Sequence, residues 1–433
     1  MAQVNITEAA WSSGQKLTFR FFFIFFLLYI FFNPNGVLPF SETLFESYIQ
    51  PFHRLIPWIG RHILHLSYEI TVFTNGSGDT TYDYVVFLCI FIIAIAGSLA
   101  WTALDRHRSS YQKLYYWLRV VVRYYLAITM LSYGSAKVFK LQFPFPDLDR
   151  LLEPYGNSSP MGLSWTFMGY SKGYNYYIGL SEVVGGLLLF FRRTTPAGAF
   201  LTLIVATNVM VFNYCFDIPV KLLSTTLVIM CLFLLAENLR RLWDLFFRNK
   251  ATTLHFPAVP PIRKKWLRYS LRTIKLLLIG FTLVTVTIGS VQMAGKYGDS
   301  APRVPLYGIY NVESFVKNRD TLAPLQTDTL RWKQLYIDGR SDYSSANIKM
   351  MDDSYRGYTI RTDTIKRTVT LFDYSDTARK FLLSYQWPAS DVIVMTGGWK
   401  GDSVRIRMKK YDLNQFRLVN RGFHWINEYP FNR

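Results

Sequence analysis

Long apolar stretches alternate with short polar segments over the first 295 residues of the chain. A helix needs about 20 mostly apolar residues to cross the ~30 Å hydrocarbon core of a bilayer. Windows of about this length, bounded by charged or turn residues, predict a membrane α-helical bundle with about seven transmembrane helices. The predicted spans are residues 17–32, 84–104, 117–133, 177–191, 197–212, 222–235 and 274–293.

The pattern changes at about Lys296, where apolar runs give way to period-2 alternation rich in β-branched and aromatic residues. Several short strands separated by turns are typical of an all-β barrel or sandwich domain. Turn signals are Asp338-Gly339, Gly397-Gly398 and Gly401-Asp402. The predicted strands are 332–337, 358–361, 368–372, 381–386, 392–395, 403–408, 416–419 and 423–426.

Residues 44–70, between the first two spans, carry apolar side chains at three- to four-residue spacing. This spacing predicts a helix with one apolar face, and Pro51 and Pro57 would kink it. Such a helix fits equally well in the membrane interface or packed on the bundle.

Composition and charge favour a membrane protein and disfavour nucleic acid as a partner. Half of the residues are hydrophobic and only 18% are charged, against about a quarter in ordinary globular proteins. The net charge of +19 comes from Lys and Arg beside apolar runs, where membrane proteins keep their cytoplasmic loops positive. The basic loops 105–114, 192–193 and 238–272 fall on one side, so we expect a cytoplasmic N-terminus and a periplasmic β domain.

Ionisable groups within or at the ends of predicted spans form a candidate intramembrane polar site, because burying them in lipid is costly. The candidates are Arg123, Lys137, Glu182, Asp217 and Lys221. One hypothesis is a polar pocket in which Glu182 relays a proton or binds the head group of a quinone or lipid. The alternative is an interhelical ion pair of Glu182 with Lys137 or Arg123, and a salt bridge at the rim between Asp217 and Lys221.

Two further groups of residues carry weaker chemical signals. His62, His65 and Glu69 would share one face of a helix and could hold a metal, although no established zinc or iron motif supports such a site. The C-terminal segment concentrates aromatic side chains. There His424, Trp425 and Tyr429 would either bind a partner protein or belong to a last strand and an ordered tail that close the barrel.

Two short motifs in the middle of the chain resemble the DoxX-like family. Residues 123–137 read RYYLAITMLSYGSAK, with an Arg entering a helix and a Gly-x-x-Lys leaving it, and residues 179–195 read GLSEVVGGLLLFFRRTT. The resemblance implies a four-helix core over residues 115–240 in a bacterial inner membrane. It also implies a link to quinone chemistry, since some members are similar to a subunit of a thiosulfate-quinone oxidoreductase, whereas many have no established activity.

These observations divide the chain into four regions: N-terminal membrane helices and an interfacial helix (1–114), the DoxX-like core (115–240), a basic loop and the last span (241–295), and the β domain (296–433). One function hypothesis is an inner-membrane protein that binds a quinone or another lipophilic small molecule in a redox-linked process. The other is a non-enzymatic envelope component whose β domain binds a partner protein. The sequence leaves open whether the protein is an enzyme.

Overall fold

The computed structural model describes residues 10–35, 41–72, 77–257, 259–340, 343–374, 376 and 379–432. The helices are α1 (Ser13–Phe32), α2 (Ser41–His62), α3 (Thr81–Leu104), α4 (Gln112–Val138), α5 (Leu148–Leu152), α6 (Pro160–Tyr170), α7 (Lys172–Leu189), α8 (Thr195–Cys215), α9 (Lys221–Leu235), α10 (Leu239–Arg248), α11 (Lys265–Tyr297) and α12 (Arg417–Asn420). The strands are β1 (Gly308–Lys317), β2 (Asp320–Thr321), β3 (Trp332–Arg340), β4 (Tyr343–Met350), β5 (Tyr355–Asp363), β6 (Thr368–Asp373), β7 (Lys380–Ala389), β8 (Val392–Trp399) and β9 (Asp402–Lys410).

The chain forms two compact units. Residues 1–138 and 173–290 make up the helical unit, and residues 139–172 and 291–433 make up the barrel unit. The division differs from the ranges predicted from the sequence, which placed residues 139–172 in the four-helix core.

Several helices have the length and composition of membrane spans. Among the described residues, α1, α3, α8 and α11 are each long and apolar enough to cross a membrane. Helices α9 and α10 pass the same test together but are bent by 84° at the break between them, so the number rises to five if the pair is one span. The count of about seven stays a prediction. The difference lies in α4 and α7, which contain the predicted third and fourth spans.

A buried arginine connects α1 to the segment between α3 and α4. The guanidinium of Arg20 donates to Thr102 Oγ1 at 2.7 Å, to the Asp105 carbonyl oxygen at 2.9 Å and to the Tyr111 hydroxyl at 2.6 Å. Its charge is therefore compensated by hydrogen bonds, the condition under which a buried cation is tolerated.

Helix α2 occupies part of the region where the sequence predicts an amphipathic helix. It contains Pro51 and Pro57 and ends at His62, whereas the predicted helix extends to residue 70. His65 adopts φ +52°, a left-handed conformation that does not continue a right-handed helix. The helical face predicted to align residues 62, 65 and 69 is therefore wrong.

The C-terminal strands form a closed barrel, which confirms an all-β domain and selects the barrel over the sandwich. Eight strands of the described chain follow the order β1-β3-β4-β5-β6-β7-β8-β9, and antiparallel pairing of β1 with β9 closes the sheet. The short β2 adds to β1. All eight strands contribute to one buried cluster that includes Phe315, Trp332, Tyr358 and Trp399.

The sequence misplaced several elements of this barrel. It missed β1, where a bulge between Val312 and Ser314 breaks the alternation, and β4, which is rich in polar residues. Residues 397–398, predicted as a turn, lie within β8, and a Cβ on Gly397 would come 2.3 Å from the Leu382 carbonyl oxygen. The strands predicted at 416–419 and 423–426 are wrong. The first is the helical turn α12 and the second has no strand, since closure by β1 and β9 leaves no free edge to pair.

Residues 139–172 pack against the outside of the barrel through α5. Leu148 is fully buried with Ile309 and Tyr336 in a cluster separate from the barrel core. The Leu148 backbone N–H also donates to Asp338 Oδ2 at 2.9 Å. The segment is therefore part of the folded barrel unit.

We expect Leu148→Ala to destabilise the barrel unit by about 2–5 kcal/mol, the usual cost of deleting a fully buried leucine side chain. Pulse proteolysis of the full-length protein in urea, followed on the barrel fragment, measures this loss. Leu163→Ala on α6, where the side chain is partly exposed, is the matched control and should change stability by about 0.5 kcal/mol or less. Equal effects of the two substitutions would contradict the packing role of α5.

Candidate functional site

The structure joins two of the predicted site residues in a buried ion pair. Lys137, near the end of α4, places its Nζ 2.8 Å from both carboxylate oxygens of Glu182 on α7. The two side chains are 6% and 3% exposed. A pair with this geometry compensates two charges that would each be costly alone.

Glycines allow α4 and α7 to approach closely around this ion pair. A Cβ on Gly134 would lie 2.8 Å from the Gly179 carbonyl oxygen, and a Cβ on Gly179 would lie 2.7 Å from that of Gly134. Two turns further along α7, a Cβ on Gly186 would meet the Ala127 carbonyl oxygen at 2.8 Å. Small residues at such a crossing are the usual device for close helix packing in membranes.

The other three predicted site residues lie elsewhere. Arg123 is 14 positions before Lys137 on α4, about 20 Å away at 1.5 Å per residue, so it does not share a pocket with Glu182. Asp217 and Lys221 form a salt bridge of 2.9 Å in which the Asp217 side chain is 86% exposed. Such exposed pairs contribute little stability. The five predicted residues therefore do not form one site: Lys137 and Glu182 form an ion pair, Arg123 lies apart, and Asp217 and Lys221 form a separate salt bridge.

The weak metal candidates do not come together. His62 is the last residue of α2, and its Nδ1 lies 3.0 Å from the Trp58 carbonyl oxygen. Within the described ranges, no group of three His, Cys, Asp or Glu side chains is arranged to hold a metal ion. His62, His65 and Glu69 thus form no metal centre there.

A cavity of about 300 Å³ lies at the end of the helical unit where α1 and α4 end and α3 and α9 begin. Its volume is at the lower limit of small-molecule sites, which run from roughly 300 to 1,000 Å³. Its lining combines apolar and polar side chains, among them Phe32, Asn35, His53, Asp79, Tyr82, Asp83, Phe87, Tyr133 and Leu223.

Hydrogen bonds to the backbone hold two of the polar side chains that line this cavity. Asp79 accepts from the backbone N–H groups of Lys221 and Leu222 at 2.6 and 3.0 Å, which caps the start of α9. Asp83 accepts from the backbone N–H of Thr80 at 2.9 Å in the capping box of α3. The sequence carried these capping signals, but they are common to many helices and do not by themselves indicate a cavity.

Tyr82 is the exception at this site. Its side chain is 8% exposed and the His53 ring packs against it at 5.7 Å. Within the described part of the chain, its hydroxyl has no hydrogen-bond partner. A buried hydroxyl in the wall of a cavity usually has a hydrogen-bond partner, which can be a water molecule or a ligand in the cavity. Periodicity did not single out Tyr82, because tyrosines are abundant at membrane interfaces.

The C-terminal tail is ordered and its aromatic side chains face outward. Trp425 and Tyr429 are 91% and 84% exposed. The tail is held by the Tyr170 hydroxyl, which donates to the Arg421 carbonyl oxygen at 2.6 Å, and by Arg421 over the Phe431 ring at 4.6 Å. His424 is exposed in the same segment. Because no partner is identified, the partner-binding hypothesis for His424, Trp425 and Tyr429 stays a prediction.

One curated relative is similar to part of this chain. It is the uncharacterized protein YwoB of Bacillus subtilis, 36% identical over 126 residues, which are 29% of this chain and 79% of the relative. No family model matches the chain, so the DoxX-like resemblance stays a prediction. No solved structure matches it either.

Because the Lys137–Glu182 pair is buried, we expect Glu182→Gln or Lys137→Met alone to cost on the order of 3–5 kcal/mol. The double variant should recover most of this loss, since no uncompensated charge remains. Unfolding midpoints of the full-length protein in detergent measure both effects. Asp217→Asn with Lys221→Met is the exposed control pair and should show coupling of about 1 kcal/mol or less. A fully stable Glu182→Gln protein would contradict the structural role.

Proposed function

We propose that this chain, which belongs to the family of the Bacillus subtilis protein YwoB, is a membrane protein that binds a quinone or another lipophilic small molecule with a carbonyl-bearing head group. The site is the cavity at the end of the helical unit. The observation that carries the proposal is the buried Tyr82 hydroxyl, which lacks a partner in the described chain and lines this cavity.

The chemistry of the cavity supports this ligand class. Phe32, Phe87 and Leu223 supply an apolar wall for a ring and its alkyl substituent. Tyr82 supplies one hydrogen-bond donor for a carbonyl oxygen, which would remove the cost of its burial. A volume of about 300 Å³ suits a head group, with the rest of the molecule outside.

The proposed chemistry does not use Glu182, because Lys137 already engages both of its carboxylate oxygens. Tyr133 lines the cavity and its ring lies 5.7 Å from Lys137 Nζ. The ion pair therefore contacts the cavity wall through Tyr133, and we assign it a structural role.

For topology, we propose seven spans in a bacterial inner membrane, with a cytoplasmic N-terminus and a periplasmic barrel unit. Residues 139–172 and 291–433 share one compact unit, so the chain between them crosses the membrane an even number of times. Helices α7, α8, α9 and α11 supply four crossings. Helix α7, with 18 residues, is about 27 Å long and can nearly span the hydrocarbon core. Helices α1, α3 and α4 add three crossings before residue 139.

A periplasm-dependent reporter such as alkaline phosphatase tests this topology. Fused after Arg433, it should be active, because the positive loops keep the opposite side in the cytoplasm. Fused after Arg248, at the end of α10, it should be inactive. Activity only in the second fusion would reverse the orientation, and activity in neither or both would contradict the seven-span arrangement.

Substitution of Tyr82 tests the binding site. Without ligand, Tyr82→Phe should leave the protein as stable as the wild type or more stable, because it removes an unpartnered buried hydroxyl that costs about 1–3 kcal/mol. With decylubiquinone, the wild type should show a dose-dependent rise in its unfolding temperature. Tyr82→Phe should weaken the apparent affinity about three- to tenfold, the equivalent of one hydrogen bond.

Two controls make this result specific. Tyr84→Phe, two positions along α3 on an exposed tyrosine, should respond like the wild type. Decylbenzene, which has the chain but no carbonyl, should not distinguish Tyr82→Phe from the wild type. Identical decylubiquinone responses in the wild type and Tyr82→Phe, or no response in either, would exclude the proposed site.

A further inference from the structure

Arg123 lies in a second recess, at the opposite end of the helical unit from the Tyr82 cavity. The recess has a volume of about 30 Å³ and is lined by parts of α4, the end of α9, the start of α8 and residues 255–257. The Arg123 guanidinium lies over the Tyr124 ring at 5.3 Å and donates a long hydrogen bond from Nη1 to Thr195 Oγ1 at 3.4 Å. Its Nε is buried and has no hydrogen-bond partner in the described part of the chain.

Positive charge around this recess exceeds the negative charge available to it. Arg119 and Arg192 line the recess together with Arg123, and Arg192 is exposed at its rim. Among the described residues, the carboxylate that approaches the recess is Glu237, which lies 4.0 Å from Arg119 and 3.8 Å from the His255 ring. One carboxylate cannot neutralise this group of cations.

We expect the recess to lie near the membrane surface, because it is at the end of α9 where the chain bends into α10. Helix α10 leaves α9 at 84° and exposes Trp243, Phe246 and Phe247 beside arginines. This composition and direction are typical of a helix lying in the membrane interface. Residues 255–257 return to the recess because Asn238, between α9 and α10, accepts from the His255 N–H at 2.7 Å and donates to its carbonyl oxygen at 3.1 Å.

We infer that this recess binds a phosphate group, and that the phosphate belongs to the head group of an anionic lipid. Arginine is the side chain best suited to phosphate, since its planar donors match the phosphate oxygens. The small volume admits phosphate oxygens but not a whole head group, so the remainder of the ligand lies outside the recess. An uncompensated arginine at the membrane surface thereby gains an anionic partner from the bilayer itself. The inference does not depend on the Tyr82 cavity.

The test uses full-length protein in dodecyl maltoside micelles and follows the unfolding temperature during titration with phosphatidylglycerol. Phosphatidylcholine is the lipid control. Inorganic phosphate against chloride, at matched ionic strength, tests a free phosphate as the source. We expect phosphatidylglycerol to stabilise the wild type, with phosphatidylcholine and inorganic phosphate giving much smaller shifts.

Arg123→Gln should weaken the apparent affinity for phosphatidylglycerol about tenfold, the loss expected for a hydrogen bond to a charged group. Arg192→Gln, at the exposed rim, gives a second variant that keeps the fold if Arg123→Gln does not. Arg106→Gln removes an exposed arginine from the loop after α3 and should bind like the wild type, which controls for net charge.

Equal loss in all three variants would indicate a diffuse electrostatic effect and overturn the site. Wild-type affinity in Arg123→Gln and Arg192→Gln, or no phosphatidylglycerol effect in the wild type, would also overturn it. A full shift with inorganic phosphate alone would overturn the lipid assignment.

Discussion

The Lys137–Glu182 ion pair shows the constraint on which the helical unit depends: a charge buried among apolar helices needs its own partner there. The pair lies where α4 and α7 cross, and the crossing is close because Gly134 and Gly179 leave no side chain between the two backbones. Close approach and charge compensation therefore require each other at this point. A larger residue at Gly179 would separate the helices that hold the two charges together.

Buried polar groups of the helical unit differ in whether a partner within the chain compensates them. Arg20 is compensated by neutral hydrogen-bond partners and Lys137 by a carboxylate. The Arg123 Nε and the Tyr82 hydroxyl lack partners among the described residues. Because native structures leave few buried polar groups unpaired, we propose that these two groups, which both line cavities, bind partners from outside the chain: a carbonyl group at Tyr82 and a phosphate at Arg123.

Much of the fold was predictable from the sequence, because long apolar windows and period-2 alternation are local signals. They predicted the helical bundle, the β domain and six of the eight strand ranges correctly, because in these regions buried positions recur at regular spacing along the chain. The segment 139–172 was not predictable in this way, since Leu148 packs against Ile309 and Tyr336 more than 150 positions away. The last two predicted strands failed for a related reason: alternation near residue 423 shows that a strand could form, and only barrel closure decides that no edge is available.

The same difference between local and distant information decides which residues of the candidate site could be predicted. The sequence identified Lys137 and Glu182 because charges inside apolar runs are conspicuous, and it weighed the ion pair that the structure contains. It grouped Arg123 with them because all three lie within or just beyond predicted spans, although helix geometry alone separates residues 123 and 137 by about 20 Å. Tyr82 carried no signal of its own, since an apolar stretch with tyrosine looks the same whether the hydroxyl is paired or not. A missing partner is a property of the assembled helices, so binding sites defined by such gaps become visible only in the folded structure.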